Sequence, residues 1–268
     1  MAVSNAAPDI LVERRDRVAL LTLNRPDSLN TLVVSMRGSL CDALAEAGSD
    51  PNVGAIVLTG AGRGFSSGGD IRFMESVIAG SGRFEDFRPL VEAGRDIVRT
   101  LETIEKPVIA AVNGAAAGGG MSLALACDVR WASESAKFAQ SFVRIGLHPD
   151  WGSLYTLPRL VGPSRALELM WTGDLMDASE ALRLGIVSRV LPAERLLPET
   201  VAFAERLARG PAVAIREIKR SVRASLGYTL EQALEREIDA QSRCWHTHDA
   251  REGFAAFLGK REPRYEGR

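Results

Sequence analysis

Apolar and polar positions recur along this chain in two spacings, and each change of spacing marks an element. Ile10–Glu13 and Val18–Leu23 are β-rich runs separated by the charged turn Arg14–Arg17, which predicts a hairpin. Helical spacing follows over Ser35–Ala47. Ala55–Thr59 is short and apolar almost throughout, as a strand buried on both faces requires. Val91–Ile104 returns to helical spacing, with Ile97, Leu101 and Ile104 on one face. Val108–Val112 is a further buried strand, introduced by Pro107, and Asp128–Ala132 and Val187–Val190 extend the series. Repeated strand–helix units predict an α/β core with largely parallel pairing.

Beyond Leu191 the spacing is helical only, over Glu194–Ala208, Ala212–Ser225, Thr229–Cys244 and Asp249–Leu258. The chain therefore divides into a core, residues 1–193, and a C-terminal helical region, residues 194–268. In the third of these helices Leu230, Leu234, Ile238 and Trp245 approximate one stripe, and Thr229 with Gln232 has the form of a capping box. Such a stripe needs a surface to pack on, either the core or a neighbouring subunit.

Composition narrows the function classes. Of 268 residues 46% are hydrophobic and 25% charged, and the formal net charge is −1. That balance removes the electrostatic case for a nucleic-acid binder. Cys41, Cys127 and Cys244 are widely spaced, so a disulfide framework is not expected and the thiols are expected in the core. The start, MAVSNAAPDI, lacks a basic region followed by an apolar one, and no stretch approaches the ~20 apolar residues of a membrane span. A cytoplasmic protein is expected. His246 and His248 lie two apart and would point to different helix faces, so no metal site is expected there. Trp131 and Trp171 are expected in the core, and His148 in a structural role.

Two glycine-rich loops carry the candidate chemistry. Gly60–Asp70 follows a buried strand and holds five glycines in eleven residues. Its spacing is GxGxG, and it has neither the GxGxxG of a dinucleotide fold nor the GK[ST] of a P-loop. Asn113–Gly120 follows the next strand and leads into the helical run Met121–Cys127. An N–H at such a helix start is unpaired within the helix and lies at its positive end. One donor from each loop, converging on a carbonyl oxygen, would make an oxyanion site. Close packing of helix on strand also selects glycine, and spacing alone does not separate the two readings.

The ordered set Asn24-Arg25-Pro26, Gly64–Ile71, Lys106–Gly114, Gly118–Asp128, Phe138–Gly162 and Phe257–Pro263 closely resembles the crotonase superfamily, the enoyl-CoA hydratase/isomerase family, over nearly the whole chain. The resemblance implies an α/β fold, a spiral of ββα units with a C-terminal helical trimerisation region, assembled as a homotrimer or homohexamer. It implies an acyl-CoA thioester as substrate, with coenzyme A entering only as part of it and no metal or other cofactor. By motif match, the N–H groups of Gly69 and Gly119 would hold the thioester oxygen as an enolate. Arg25 and the segment Ser66, Ser67, Gly68, Asp70 and Ile71 would lie along the CoA moiety, and Lys260 would meet a CoA phosphate, if need be across a subunit boundary. For Arg25 and Lys260 a solvated surface charge is an equal reading.

The resemblance breaks where hydratases carry two glutamates, since the matching positions here are Ser122 and Phe142. Phenylalanine cannot move a proton, and neutral serine is a poor base. A carboxylate does occur in Gly146-Leu-His-Pro-Asp150-Trp-Gly152, a segment resembling that of isomerase relatives, particularly 1,2-epoxyphenylacetyl-CoA isomerases of phenylacetate catabolism. Phe142, Leu147 and Trp151 would make its surroundings apolar and raise its pKa. Asp150 is thus the expected acid/base of an isomerase acting on an unsaturated or aromatic-derived acyl-CoA. Three alternatives stay open: Asp150 as the N-cap of a helix starting near Gly152, Asp150 as a nucleophile, and hydration at an atypical site. A catalytically silent acyl-CoA binder of the same fold is a further reading.

Overall fold

The computed structural model describes residues 7–268, so the expectation about the chain's first residues falls largely outside it. The N-terminal hairpin forms as its sequence predicts. Strands β1 (Ile10–Arg15) and β2 (Val18–Leu23) pair antiparallel from Ile10↔Leu23 to Arg15↔Val18, turning at Asp16 with φ 50°. Helix α1 (Val34–Ser49) follows, and then a repeating unit begins. Strands β3 (Ala55–Gly60) and β4 (Gly64–Ser66) lead to helices α2 (Ile71–Gly80) and α3 (Phe84–Thr103). Strands β5 (Val108–Val112) and β6 (Ala115–Ala117) lead to α4 (Gly119–Ala126). Strands β7 (Val129–Ser133) and β8 (Lys137–Ala139) lead through a 3₁₀ turn at Ser141–Ile145 to α5 (Ser153–Val161) and α6 (Pro163–Thr172).

Each unit gives its first strand to one sheet and its second to another. Once β9 (Met176–Asp177), α7 (Ala178–Arg183) and β10 (Arg189–Leu191) are added, the large sheet runs β1-β2-β3-β5-β7-β10 and the small one β4-β6-β8-β9. All large-sheet pairs beyond the hairpin are parallel. This is a spiral of ββα units, the α/β architecture expected. The small sheet went unseen in the sequence. Its strands are two or three residues long and exist through the neighbours they pair with, not through any apolar run of their own.

Strand alternation sends successive side chains to opposite faces. Leu21, Leu23, Ile56, Leu58, Ala110 and Val112 face α1 and α3. Val18, Leu20, Val57, Ile109, Ala111 and Trp131 face α8 (Ala193–Ala208) through Leu196, Ala204 and Ala208. The first C-terminal helix therefore belongs to the core by its packing. Helix α9 (Ala212–Ser225) is tied on by Asp128, which receives Lys219 and Arg223 at 2.7 Å each. Helix α10 (Leu230–Trp245) has the capping box of Thr229 and Gln232 but no buried residue, and α11 (His248–Leu258) packs on it. Leu230, Leu234, Ile238, Trp245, Phe254 and Phe257 are all exposed in the single chain.

Two expectations are corrected. Trp171 is 70% exposed, because Ala166 and Met170, one turn apart, fix the buried face of α6 and leave position 171 turned outward. Helix α3 starts at Phe84, seven residues before the apolar spacing begins, and carries Pro89 inside its first turns. Of the cysteines, Cys127 is buried, which pushes its thiol up to about 12, while Cys41 and Cys244 are half-buried.

Candidate active site

The two glycine loops leave the same ends of neighbouring strands, β3 and β5, and two amides hold the first of them in shape. Asn113 Oδ1 accepts from Gly60 N at 3.1 Å, while its Nδ2 donates to Gly62 O at 2.9 Å. Asn30, fully buried, donates to Gly64 O at 2.8 Å and Ala61 O at 3.0 Å. The loops then touch. Gly68 has φ 89°, and a Cβ there would lie 2.5 Å from Ala117 O and 3.1 Å from Gly119 N, so only glycine fits. Leu32 N donates to Gly68 O at 2.8 Å, and Leu32 forms a parallel bridge with Gly69. In such a bridge the N–H of Gly69 points away from its partner. Neither Gly69 N–H nor Gly119 N–H donates to another of the described residues. Gly119 opens α4, where that N–H has no partner by construction. The structure thus brings together the two donors, each free to meet an oxygen.

The segment Gly146–Gly152 adjoins them. Trp151 is 4% exposed with φ 53°, a conformation a bulky side chain adopts only under constraint. Its indole fills the gap left by the missing side chain of Gly94 on α3: a Cβ there would lie 2.2 Å from Trp151 Nε1. The same nitrogen lies 3.7 Å from where a Cβ on Gly119 would be. This wedge fixes Asp150 next to it. Oδ1 of Asp150 is buried and has no hydrogen-bond partner among the described residues. Burial pushes the carboxyl up to about 6, against the opposing pull of Arg37 and, more weakly, His148. The N-cap of α5 is Gly152, with no side-chain cap, so the capping reading of Asp150 fails; only its backbone oxygen serves the turn, accepting from Ser153 N at 3.2 Å.

The remaining candidates divide. Phe142 is half-buried, its ring 3.9 Å from a Cβ position on Gly118, and Leu147 N donates to Phe142 O, so both stand beside the loops. Ser122 is fully buried and its hydroxyl donates to Gly118 O at 3.1 Å. Ser66 Oγ donates to Asn30 O at 2.9 Å, and Ser67 Oγ shares a bond with Thr31 Oγ1 and donates to Ser28 O, so these hydroxyls brace the loop. Asp70 caps α2 through Phe73 N at 3.1 Å, and Ile71 is 53% exposed. Arg25 pairs with Asp9 at 3.3 Å, and its Nε is buried without a partner among the described residues. Lys260 lies exposed beyond α11, whose packing is on α10. Among the described residues no three His, Cys, Asp or Glu side chains gather as a metal cage requires.

Sequence reading missed Asn30 and Arg37. The signal for Arg37 is a guanidinium on the apolar stripe of α1, in step with Leu40 and Leu44.

A spiral of paired sheets that sets two unpaired N–H groups on touching loops, with a carboxyl beside them, is an arrangement able to polarise a carbonyl. The chain belongs to the enoyl-CoA hydratase/isomerase family, whose profile matches residues 13–268. It is 39% identical to the crotonyl-CoA hydratase of Syntrophomonas wolfei over 97% of this chain and 98% of that one. It is 36% identical to the short-chain-enoyl-CoA hydratase of Clostridium acetobutylicum, over 95% and 96%. The solved enoyl-CoA hydratase of Bacillus anthracis superposes with a TM-score of 0.91 at 34% identity, covering 97% and 100%.

Proposed function

We propose that the protein is an acyl-CoA isomerase in which Asp150 moves a proton along the acyl chain. The observation that carries this is the buried, unpartnered Oδ1 of Asp150 beside two unpaired N–H groups. The N–H groups of Gly69 and Gly119 hold the thioester oxygen. The Asp150 carboxylate takes a proton from carbon, the C–H electrons pass toward that oxygen, and the protonated carboxyl returns the proton at another carbon. A carboxyl lifted to about 6 is mostly ionised at neutrality and so ready as a base, and its conjugate acid stays close enough to the ambient pH to give the proton back. Removal of one oxyanion donor costs about 3–4 kcal/mol of barrier in such sites.

The half-buried Phe142 and Leu147 and the buried Trp151 support an apolar acyl group, unsaturated or aromatic-derived. The CoA portion is assigned to the backbone from Ser66 to Ile71, to Arg25, and to Lys260 of this or a neighbouring subunit. Within 194–268 the oligomerising surface is assigned to α9–α11, where Ile218, Val222, Leu234, Ile238, Trp245 and Phe254 are exposed in the single chain. A homotrimer or homohexamer is the expected assembly, and the cytoplasm the expected location. No helix among the described residues is long and apolar enough to cross a membrane.

The names of the two relatives favour a second reading, hydration of an enoyl-CoA. Against it stands the want of a second base: Ser122 is spent on Gly118 O and Phe142 has no proton to move. An acyl-CoA panel followed by mass spectrometry in heavy water separates the readings. Isomerisation gives deuterium uptake or a shifted double bond at constant heavy-atom mass. Gain of one water supports hydration, and a covalent adduct on Asp150 supports a nucleophilic aspartate. Binding without turnover of any member would leave a silent acyl-CoA-binding homologue.

A further inference from the structure

Arg37 is a cation on the inward face of α1. It is 4% exposed, and Met36, Leu40 and Leu44 around it are fully buried. A guanidinium persists in such a place only where the fold supplies partners. Nε donates to Leu32 O at 2.9 Å and Nη1 donates to Leu90 O of α3. Nη2 donates to none of the described residues and lies 3.7 Å from where a Cβ on Gly69 would be. The guanidinium carbon stands 5.6 Å from the centre of the Trp151 ring.

These contacts reach both halves of the site. Leu32, held by Arg37 through its carbonyl, is the residue that bridges Gly69 and binds Gly68 O, so Arg37 braces the backbone that aims the first N–H. Trp151, beneath the same cation, is the wedge that fixes Asp150. We propose that Arg37 is a positioning residue that couples the charge on Asp150 to the alignment of the Gly69 N–H. Naming Asp150 as the base rests on the isomerase reading; the placement of Arg37 between the two halves does not.

The chemical logic follows from where charge travels. Before proton transfer the negative charge sits on Asp150; afterwards it sits on the thioester oxygen at the glycine loops. A fixed cation between the two ends offsets the charge at both, so the transfer needs less reorganisation. The charged groups facing Asp150 are Arg37 from α1 and His148 from its own segment, and Arg37 in turn faces Asp70 from the start of α2.

The test is a ¹³C NMR titration of aspartate carboxyls in the full chain, with the Asp150 signal assigned by its loss in Asp150→Asn. In Arg37→Met the midpoint should rise from about 6 by roughly one unit or more, and the acid limb of kcat/KM should move with it. Arg37→Lys keeps the charge but cannot fork to Leu32 O and Leu90 O. It should leave the midpoint within a few tenths of a unit while kcat falls about tenfold or more, a split that loss of packing alone does not give. An unmoved midpoint in a folded Arg37→Met overturns the proposal, as does full activity in Arg37→Lys. If Arg37→Met does not fold, Arg37→Lys decides by the same two readouts. The titration needs no substrate, so a panel without turnover sinks the isomerase reading and leaves this result standing.

Discussion

Asp150 beside the glycine loops and Glu217 on α9 are both carboxylates withdrawn from water, and their surroundings are opposite. Glu217 is 2% exposed, with Oε2 receiving Arg236 at 2.7 Å and Arg243 at 3.1 Å and Oε1 facing Arg220 at 3.5 Å. Burial pushes its carboxyl up, but the arginines outweigh it and hold the group below its ordinary range. Asp150 has one oxygen with no partner, and there burial wins. A carboxylate used to join α9 to α10 is saturated with donors; one used to accept a proton is left short of them. An orphaned buried acceptor is costly, which is why such atoms concentrate where chemistry requires them.

The two sites also respond to pH with opposite sign. Asp150 has a folded-state pKa above its unfolded value near 3.9, so the folded chain holds the extra proton between about pH 4 and 6. Stability falls as pH rises through that window and stays lower above it, by roughly 3 kcal/mol at neutrality. Glu217 is depressed, so its contribution is complete above the unfolded value near 4.3 and is lost as pH falls through the lower folded one.

The sharpest way to break this comparison is Asp150→Asn. It should lower kcat by about 10²–10⁴-fold, leave CoA affinity unchanged, and raise stability at pH 7 by up to about 3 kcal/mol. Kinetics, ligand titration and denaturant unfolding at pH 4.5 and 7 read the three effects. An Asn variant that unfolds more easily at pH 7 would mean Asp150 is cement like Glu217. Gly94→Ala comes next: the added methyl meets Trp151 Nε1 and should cost about 1–3 kcal/mol, with kcat reduced as Asp150 shifts. Unchanged turnover in a destabilised Gly94→Ala would show that the wedge does not aim the base. The smallest effect is expected from Glu217→Gln, about 1–2 kcal/mol at neutral pH given the partly exposed arginines. That loss should fade in acid, and kcat per intact site should not move.

The centre of the large sheet was legible because β2, β3 and β5 are apolar runs, the first preceded by a charged turn and the last by Pro107. The small sheet was not, since Ala115–Ala117 and Lys137–Ala139 carry no period and are strands only through their pairing. The glycine loops were legible as a place. That Gly69 and Gly119 keep free N–H groups follows from the bridge to Leu32 and the start of α4, which spacing alone left level with simple packing. Asp150 stood out through its motif, and only the geometry of Gly152 removed the capping alternative. Arg37 was passed over although it stands in step with Leu40 and Leu44, because an arginine in a helix reads as a surface residue until Leu32 and Leu90 are seen to accept from it.

The wedge at position 151 has an optical consequence. Of the four tryptophans, Trp171 is 70% exposed and open to an aqueous quencher, Trp245 lies on the surface assigned to assembly, and Trp131 is shielded in a stack with Phe203. Trp151 alone combines near-complete shielding with a titrating neighbour. With Trp171 silenced by iodide, a change of the remaining emission around pH 6 that is lost in Asp150→Asn belongs to the indole beside Asp150. The chain thus carries an intrinsic fluorescent probe of its own ionisation state, readable without a label.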